Sequence, residues 1–210
     1  YPQYDPQLRP AGDPNPDWTA SLRNTIAIGS NLTVTGLLDI KHGGDMWNGT
    51  KGALYYFGTH KDTEPYHGDG CTAVFGQKNP GCDSNATISN ERVAGPGAGN
   101  SVLVDESYFW GNIGSGFTGP FSQFIEDAGF VKLRDITVSY TLRNMDWLER
   151  IGVSSAILAV SGRNLKTWTD YTGIDPENNL NGQTLGRGLE YFNNPQTRSF
   201  VFNVTLNRNR

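Results

Sequence analysis

Apolar and polar residues alternate with a period of two along several stretches of this chain. In "TASLRNTIAI", Ala20, Leu22, Ile26 and Ile28 fall on one side, with Thr19, Ser21, Arg23 and Thr25 on the other. After the turn pair Gly29-Ser30, "NLTVTGLLDIKH" sets Leu32, Val34, Leu38 and Ile40 against Thr33, Thr35, Asp39 and Lys41. Two alternating runs around a short glycine-containing turn predict a β-hairpin. "GFVKLRDITVSYTL" continues the pattern, with Ile136, Val138, Tyr140 and Leu142 opposite Asp135, Thr137, Ser139 and Thr141. "SAILAVSGRNLKTW" opposes Ala156, Leu158 and Val160 to Ser155, Ser161 and Arg163, and "TRSFVFNVTLNR" carries Phe200, Phe202, Val204 and Leu206. Five strands are therefore predicted. Arg134 breaks the parity, because it shares the side of Ile136 rather than Asp135. A bulge beside it, or a position above the apolar belt, is expected.

The segments between the strands are irregular. "YPQYDPQLRPAGDPNPD" (1–17) is proline-rich and reads as an extended strap. From Gly43 to Ala128 the period dissolves into a long loop. Such a stretch is unusual inside a compact domain, and local pieces such as Ser101 to Trp110 are expected to form short strands or a turn of helix. "RNMDWLERIGVS" predicts a short helical turn with Asn144 as its cap, Trp147, Leu148 and Ile151 on one face, and Gly152 as its stop. Thr167 to Pro195 is a second Gly/Asn-rich loop.

Alternation alone favours a soluble sandwich over a membrane barrel. Connection lengths separate the two. The links run short, very long, short, long, so antiparallel neighbours put both short links at one end and both long ones at the other. Outer-membrane barrels show that asymmetry, whereas a sandwich has no physical reason to sort its loops by side.

Composition narrows the classes further. Charged residues make up 18% of the 210, while 26 Gly and 11 Pro mark a turn-rich β protein. The net charge is −4 and no Lys/Arg stripe appears, which argues against nucleic acid as a partner. No apolar run approaches the ~20 residues of a spanning helix, which leaves a β-barrel untouched. The chain begins with Tyr1, so a removed leader or a longer parent polypeptide is expected.

In order, the blocks "GDPNPDWTASLRNTIAIGSNLTVTGLLDIKHGGDMWNGT", "FVKLRDITVSYTL", "WLERIGVSSAILAVSGRNLKTWTDYTGIDPE" and "YFNNPQTRSFVFNVTLNR" resemble the C-terminal barrel strands of the SusC/RagA group of TonB-linked outer-membrane receptors. Four blocks in sequence are a specific signal, although the centre from Lys51 to Gly129 adds little. The resemblance implies an all-β chain, with antiparallel up-and-down strands forming the C-terminal part of a transmembrane barrel with long extracellular loops. It also implies import of glycan fragments or peptides across a bacterial outer membrane. The implied partners are the remaining barrel and plug, a SusD-like surface lipoprotein, TonB acting through an N-terminal part, and membrane lipid. The chain departs from the family in running past Leu206 to "NRNR", where an aromatic residue usually closes the last strand.

On this reading the chain divides into an extended segment (1–17), a barrel hairpin (18–42), a long extracellular loop region (43–128) and three C-terminal strands with a short periplasmic helical turn (129–210). Plugged transporters close roughly 22 strands, and even the smallest single-chain barrels use about eight. Five strands cannot enclose a lumen, so the chain is expected to work only as part of a larger receptor. A contrasting expectation is an extracellular assembler that pairs its open edges with neighbouring copies.

Asp39, Lys41 and Arg163 sit on the polar side of the strands and become substrate-contact candidates if that side lines a lumen; a solvated outer surface is the plainer alternative. Trp47, Tyr108 and Trp110, with Tyr55, Tyr56, Phe57 and Phe109, lie in the long loop. There they would either stack on sugar faces or fill the loop's own small core. Trp147 and Trp168, at strand ends, suit an interfacial girdle. Cys71 and Cys82 bracket a bendable ten-residue spacer and are expected to form a disulfide, with two free thiols as the alternative. Asp175, Glu177 and Asn178 are acidic and amide-bearing but lack the ligand ladder of a calcium loop; Asx-turns account for them more simply. No metal, cofactor or catalytic constellation is expected, since adjacent carboxylates such as Asp105 and Glu106 diverge in an extended chain and no nucleophile elbow appears.

Overall fold

The computed structural model describes residues 7–66, 72–73, 77–78, 109, 113–180 and 187–208. Its centrepiece is one five-stranded antiparallel sheet. In chain order it contains β1 (Trp18–Ile28), β2 (Leu32–His42), β7 (Phe130–Arg143), β8 (Val153–Trp168) and β10 (Ser199–Arg208). Their spatial order, β1-β2-β7-β8-β10, follows the chain, and β1 and β10 are open edges. Each strand therefore pairs with its predecessor in the sheet, as an up-and-down barrel wall requires. Both short links, 29–31 and 144–152, lie at one end, and both long ones lie at the other.

Register explains why the alternation is so clean. Cross-strand partners share a face of a sheet. Reading across all five strands, Ile28, Leu32, Tyr140, Leu158 and Val204 form one row, and Ile26, Val34, Val138, Val160 and Phe202 the next. On the opposite face run Thr25, Thr35, Thr137, Ser161 and Val201, then Ala27, Thr33, Ser139, Ala159 and Asn203. Among the described residues no second layer covers the apolar rows, and Phe202 stands 78% exposed. A water-soluble sandwich would bury these rows between two sheets.

The parity break at Arg134 has the expected cause. The ladder passes from Asp135 to Leu133 on β7, leaving Arg134 as the extra residue of a bulge. Facing it, β8 skips Asn164 and Leu165, and Asn164 takes a positive φ of 51°. Asn tolerates that left-handed region better than a branched residue does. The bulge turns Arg134 to the polar face while leaving Leu133 on the apolar one.

The helical turn differs from expectation in its details. The helix α2 (Asp146–Arg150) starts from Met145, with no side-chain cap, and Asn144 instead takes a positive φ of 54°. The strand must reverse there, and that reversal claims Asn144 before it can cap. Leu148 is buried against Val153, Ala156 and Leu142, whereas Trp147 and Ile151 project outward rather than sharing its face. Gly152, at φ 76°, ends the turn as expected.

The long loop contains more order than its sequence suggests. Gly43 and Gly44, at φ 70° and 88°, swing the chain out of β2 into β3 (Asp45–Asn48). A short helix α1 (Gly49–Tyr56) follows, capped by the Asn48 side chain, which accepts from the Lys51 backbone N–H at 2.9 Å. β3 pairs antiparallel with β6 (Ile125–Asp127) and parallel with β9 (Leu189–Glu190), so both long loops join one small sheet. Two two-residue strands, β4 (Thr72–Ala73) and β5 (Gln77–Lys78), pair with each other. Helix α1 meets the 113–119 turn through glycines: a Cβ on Gly116 would stand 2.4 Å from the Gly52 Cα. Met46, Ala128 and Tyr171 form the buried centre that ties this cap to the end of the main sheet.

Candidate functional site

The polar face of the sheet carries a connected set of ionic and hydroxyl groups. Midway along, Thr25 and Thr35 hydroxyls meet at 3.2 Å and those of Thr137 and Ser161 at 2.7 Å. Towards the long-loop end the groups become charged. Ser21 Oγ donates to Asp39 at 2.7 Å, and Arg134 Nε donates to the same carboxylate at 2.7 Å. The Arg134 guanidinium also grips both oxygens of Glu177, the planar fork that such a pair favours. Lys132, only 4% exposed, donates to Asp175 and to Glu177, both at 2.8 Å. Gln196 adds a further bond to Glu177 at 2.7 Å.

This network fastens the loop between β8 and β10 across the polar face. Burial pushes the Glu177 carboxyl up, but hydrogen bonds from Arg134 and Lys132, with their charges, outweigh it and hold the group at about 2. Asp175 supplies the Asx-turn anticipated for this stretch, since its carboxylate accepts from the Glu177 N–H at 3.0 Å. Asp175 and Glu177 are thus ligands for an ammonium and a guanidinium.

A cleft of about 270 Å³ opens beside the network, between the 14–16 strap, β1, β2 and the second loop. Asp39, Lys41, Phe130 and Arg134 line it. Arg163 stands apart, exposed on the polar face, with its Nε 3.9 Å from Asp135. The structure thus brings Asp39 and Lys41 to one cleft and leaves Arg163 outside it.

Trp47 lies in the small sheet, stacked on Tyr191 at 6.3 Å and met edge-on by Phe121 at 5.5 Å. Its indole N–H is buried without a partner among the described residues. Tyr55 belongs to the loop's own core, edge-on to buried Phe124 and Phe109. Tyr56, Phe57 and Phe117 make a more exposed cluster of their own. Tyr108, Trp110, Cys71 and Cys82 lie outside the described residues.

Deeper in the cap, Glu126 accepts from Lys51 Nζ at 3.0 Å and from the Thr172 backbone N–H at 2.7 Å. Burial raises its carboxyl, yet these bonds hold it below the ordinary range. Glu190, fully buried, takes the Thr50 hydroxyl at 2.6 Å and the Tyr171 hydroxyl at 3.4 Å. Burial first, and then the Glu190 charge, pushes the Tyr171 phenol up.

Comparison with known proteins fits a barrel wall. The "TonB-dependent receptor P3" of Formosa agariphila is 33% identical over 90 residues, covering 40% of this chain and 9% of that protein. "TonB-dependent receptor P26" of the same organism is 31% identical over 95 residues, covering 42% and 10%. The solved RagAB peptide importer in its open-open state covers 97% of this chain and 19% of its own, at 18% identity and a TM-score of 0.58. Its closed-closed state gives a TM-score of 0.52 over the same shares. The chain resembles part of a TonB-dependent receptor. It spans about a tenth of the length of the curated receptors it matches, and no protein-family model matches it. Against the importer the likeness is one of fold: antiparallel strands of a barrel wall, here open rather than closed.

Several features of this receptor-like wall escape a reading of the sequence. Lys132 and Gln196 join the polar network although neither carries a motif. Trp18 stacks on His42 at 5.3 Å and lies at the same end of the sheet as Trp168. Only the position of Trp18 at the start of an alternating run could have marked it.

Proposed function

We propose that this chain is a section of the barrel wall of a TonB-dependent outer-membrane importer, with its apolar rows against lipid and its polar face lining the lumen. One observation carries the reading: a single-layered sheet whose uncovered face is apolar across all five strands. The dimensions agree. From Leu133 to Leu142 the strand runs about 28 Å, which at a tilt near 40° gives a belt about 22 Å high. Bacterial barrels carry an apolar band of about 25 Å flanked by aromatic girdles. Trp18 and Trp168 mark one rim and Trp147 the other.

The open edges of β1 and β10 then pair with the rest of the barrel, and the plug packs inside. The capped long loops face outward, where a SusD-like lipoprotein would sit, and TonB acts from the short-turn side through another part of the receptor. Asp39, Lys41 and Arg163 meet lumen contents, and Trp47 serves the outer vestibule. The cargo is a glycan fragment or a peptide. Fractionation of producing cells tests the reading. The polypeptide should appear in the detergent-extracted outer membrane at around a hundred kilodaltons, with heat-modifiable mobility. A species near 23 kDa in fibres or in the soluble fraction contradicts it.

A further inference from the structure

The cleft beside the ionic network contains a lysine ammonium without a direct partner among the described residues. Of its cations, Arg134 is held by Asp39 and Glu177, and Arg187 donates to Asn15 at 3.1 Å. Of its carboxylates, Asp39 is taken by Ser21 and Arg134, Glu177 by Arg134 and Lys132, and Asp45 accepts the Asp13 backbone N–H at 2.8 Å. Lys41 differs. Among the described residues its ammonium has no hydrogen bond and no ion pair; Asp127 and Glu177 favour its charge without touching it, and the Phe130 ring lies 5.9 Å away. The side chain is nonetheless partly buried. Desolvating an ammonium without an anion is unfavourable, and most such groups are paired. Among the described residues no carboxylate lies within ion-pair distance of this ammonium, so it has room for a direct anionic partner from outside the chain.

We infer that Lys41 seats a carboxylate of the transported solute, the end group of a peptide or the acid of a uronic sugar. This rests on the reading that the polar face lines the lumen, and it names the chemistry recognised there. At about 270 Å³ the cleft sits at the small end of ligand sites, so it holds a terminal group rather than a whole oligomer. Phe130 is buried beneath Lys41, Lys132 and Arg134 and forms the floor under the Lys41 ammonium rather than a surface for the solute.

The test uses the full-length receptor in detergent. Four probes separate the sources: short peptides with a free C-terminal acid, the same peptides as C-terminal amides, oligogalacturonides, and neutral oligosaccharides of equal length. Binding of the acid form of at least one class is expected to weaken about 10- to 100-fold in Lys41→Gln. The amide or neutral counterpart should change less than about threefold. A measurement on the unaltered receptor guards against misfolding of the variant: the binding acid should shield Lys41 from amine acetylation, and its uncharged counterpart should not. Acid binding that survives Lys41→Gln, preference for the uncharged probe, or Lys41 reactivity unmoved by every probe overturns the inference. An ion pair between Lys41 and another segment of the intact receptor also overturns it. The lumen reading fails separately, if the thiol of Thr137→Cys is closed to a water-soluble reagent while that of Val138→Cys is open.

Discussion

Replacing Glu177 by Gln should loosen the second long loop without unfolding the sheet. In the intact network Glu177 answers both Arg134 and Lys132, and its carboxyl lies at about 2 instead of the usual 4.5. A difference of that size is worth on the order of 3 kcal/mol between the folded and opened loop. Gln keeps the shape but not the charge. Arg134 retains Asp39 and Lys132 retains Asp175, so the expected loss is about 2–3 kcal/mol, roughly 30- to 150-fold in the opening equilibrium. Hydrogen exchange of the intact receptor, read on peptides covering 171–180 and corrected for intrinsic rate, reports that equilibrium. The sign with pH follows from the depressed value: the stabilisation is complete above about 4.5 and disappears as pH falls through 4.5 towards 2. The wild-type loop should therefore lose protection across that window, and Glu177→Gln should show a much smaller acid step. Protection unchanged within threefold in the variant, or an acid step of equal size in both proteins, would refute the assigned role.

Other consequences are equally specific. Lysine at Val138, on the apolar face, should cost about 2–4 kcal/mol of barrel stability in bilayers, while lysine at Thr137 should cost far less, both read as folded fraction on unheated gels. Gly116→Ala drives a methyl group to within 2.4 Å of the Gly52 Cα, so it should raise proteolysis at α1 and the 113–119 turn by the equivalent of about 1–3 kcal/mol while leaving the main sheet protected. Thr50→Val removes the 2.6 Å donor of buried Glu190 and should cost about 1–3 kcal/mol of local stability, seen as faster exchange around 189–192.

The main sheet was legible because its information is local. In Leu32, Val34, Val138, Leu158 and Phe202 the period of two states the face, and loop lengths state the direction. Arg134 advertised its bulge by breaking parity, yet the answering skip at Asn164 and Leu165 gave no such sign, since a bulge's partner depends on register. The cap was opaque for the opposite reason. Met46 meets Tyr171, and Gly52 meets Gly116, across separations that no local pattern reports. Asn144 shows a conflict between local signals: its residue type suits both a helix cap and a left-handed turn, and the strand reversal decided between them. In the candidate site, Asp39 and Lys41 were marked by their place on the polar face. The pairing of Lys132 with Asp175 and Glu177 depends on how a loop some 40 residues away folds back.

The most direct test is a spin-label scan along β7 of the intact receptor, from Asp135 to Leu142, with separate oxygen and water-soluble nickel relaxants. Oxygen access should peak at Ile136, Val138, Tyr140 and Leu142, and nickel access at the residues between, giving two period-two traces out of phase. Traces in phase, or labels at Val138 and Tyr140 immobilised and closed to both relaxants as in a protein interior, would contradict a wall with lipid on one side and a lumen on the other.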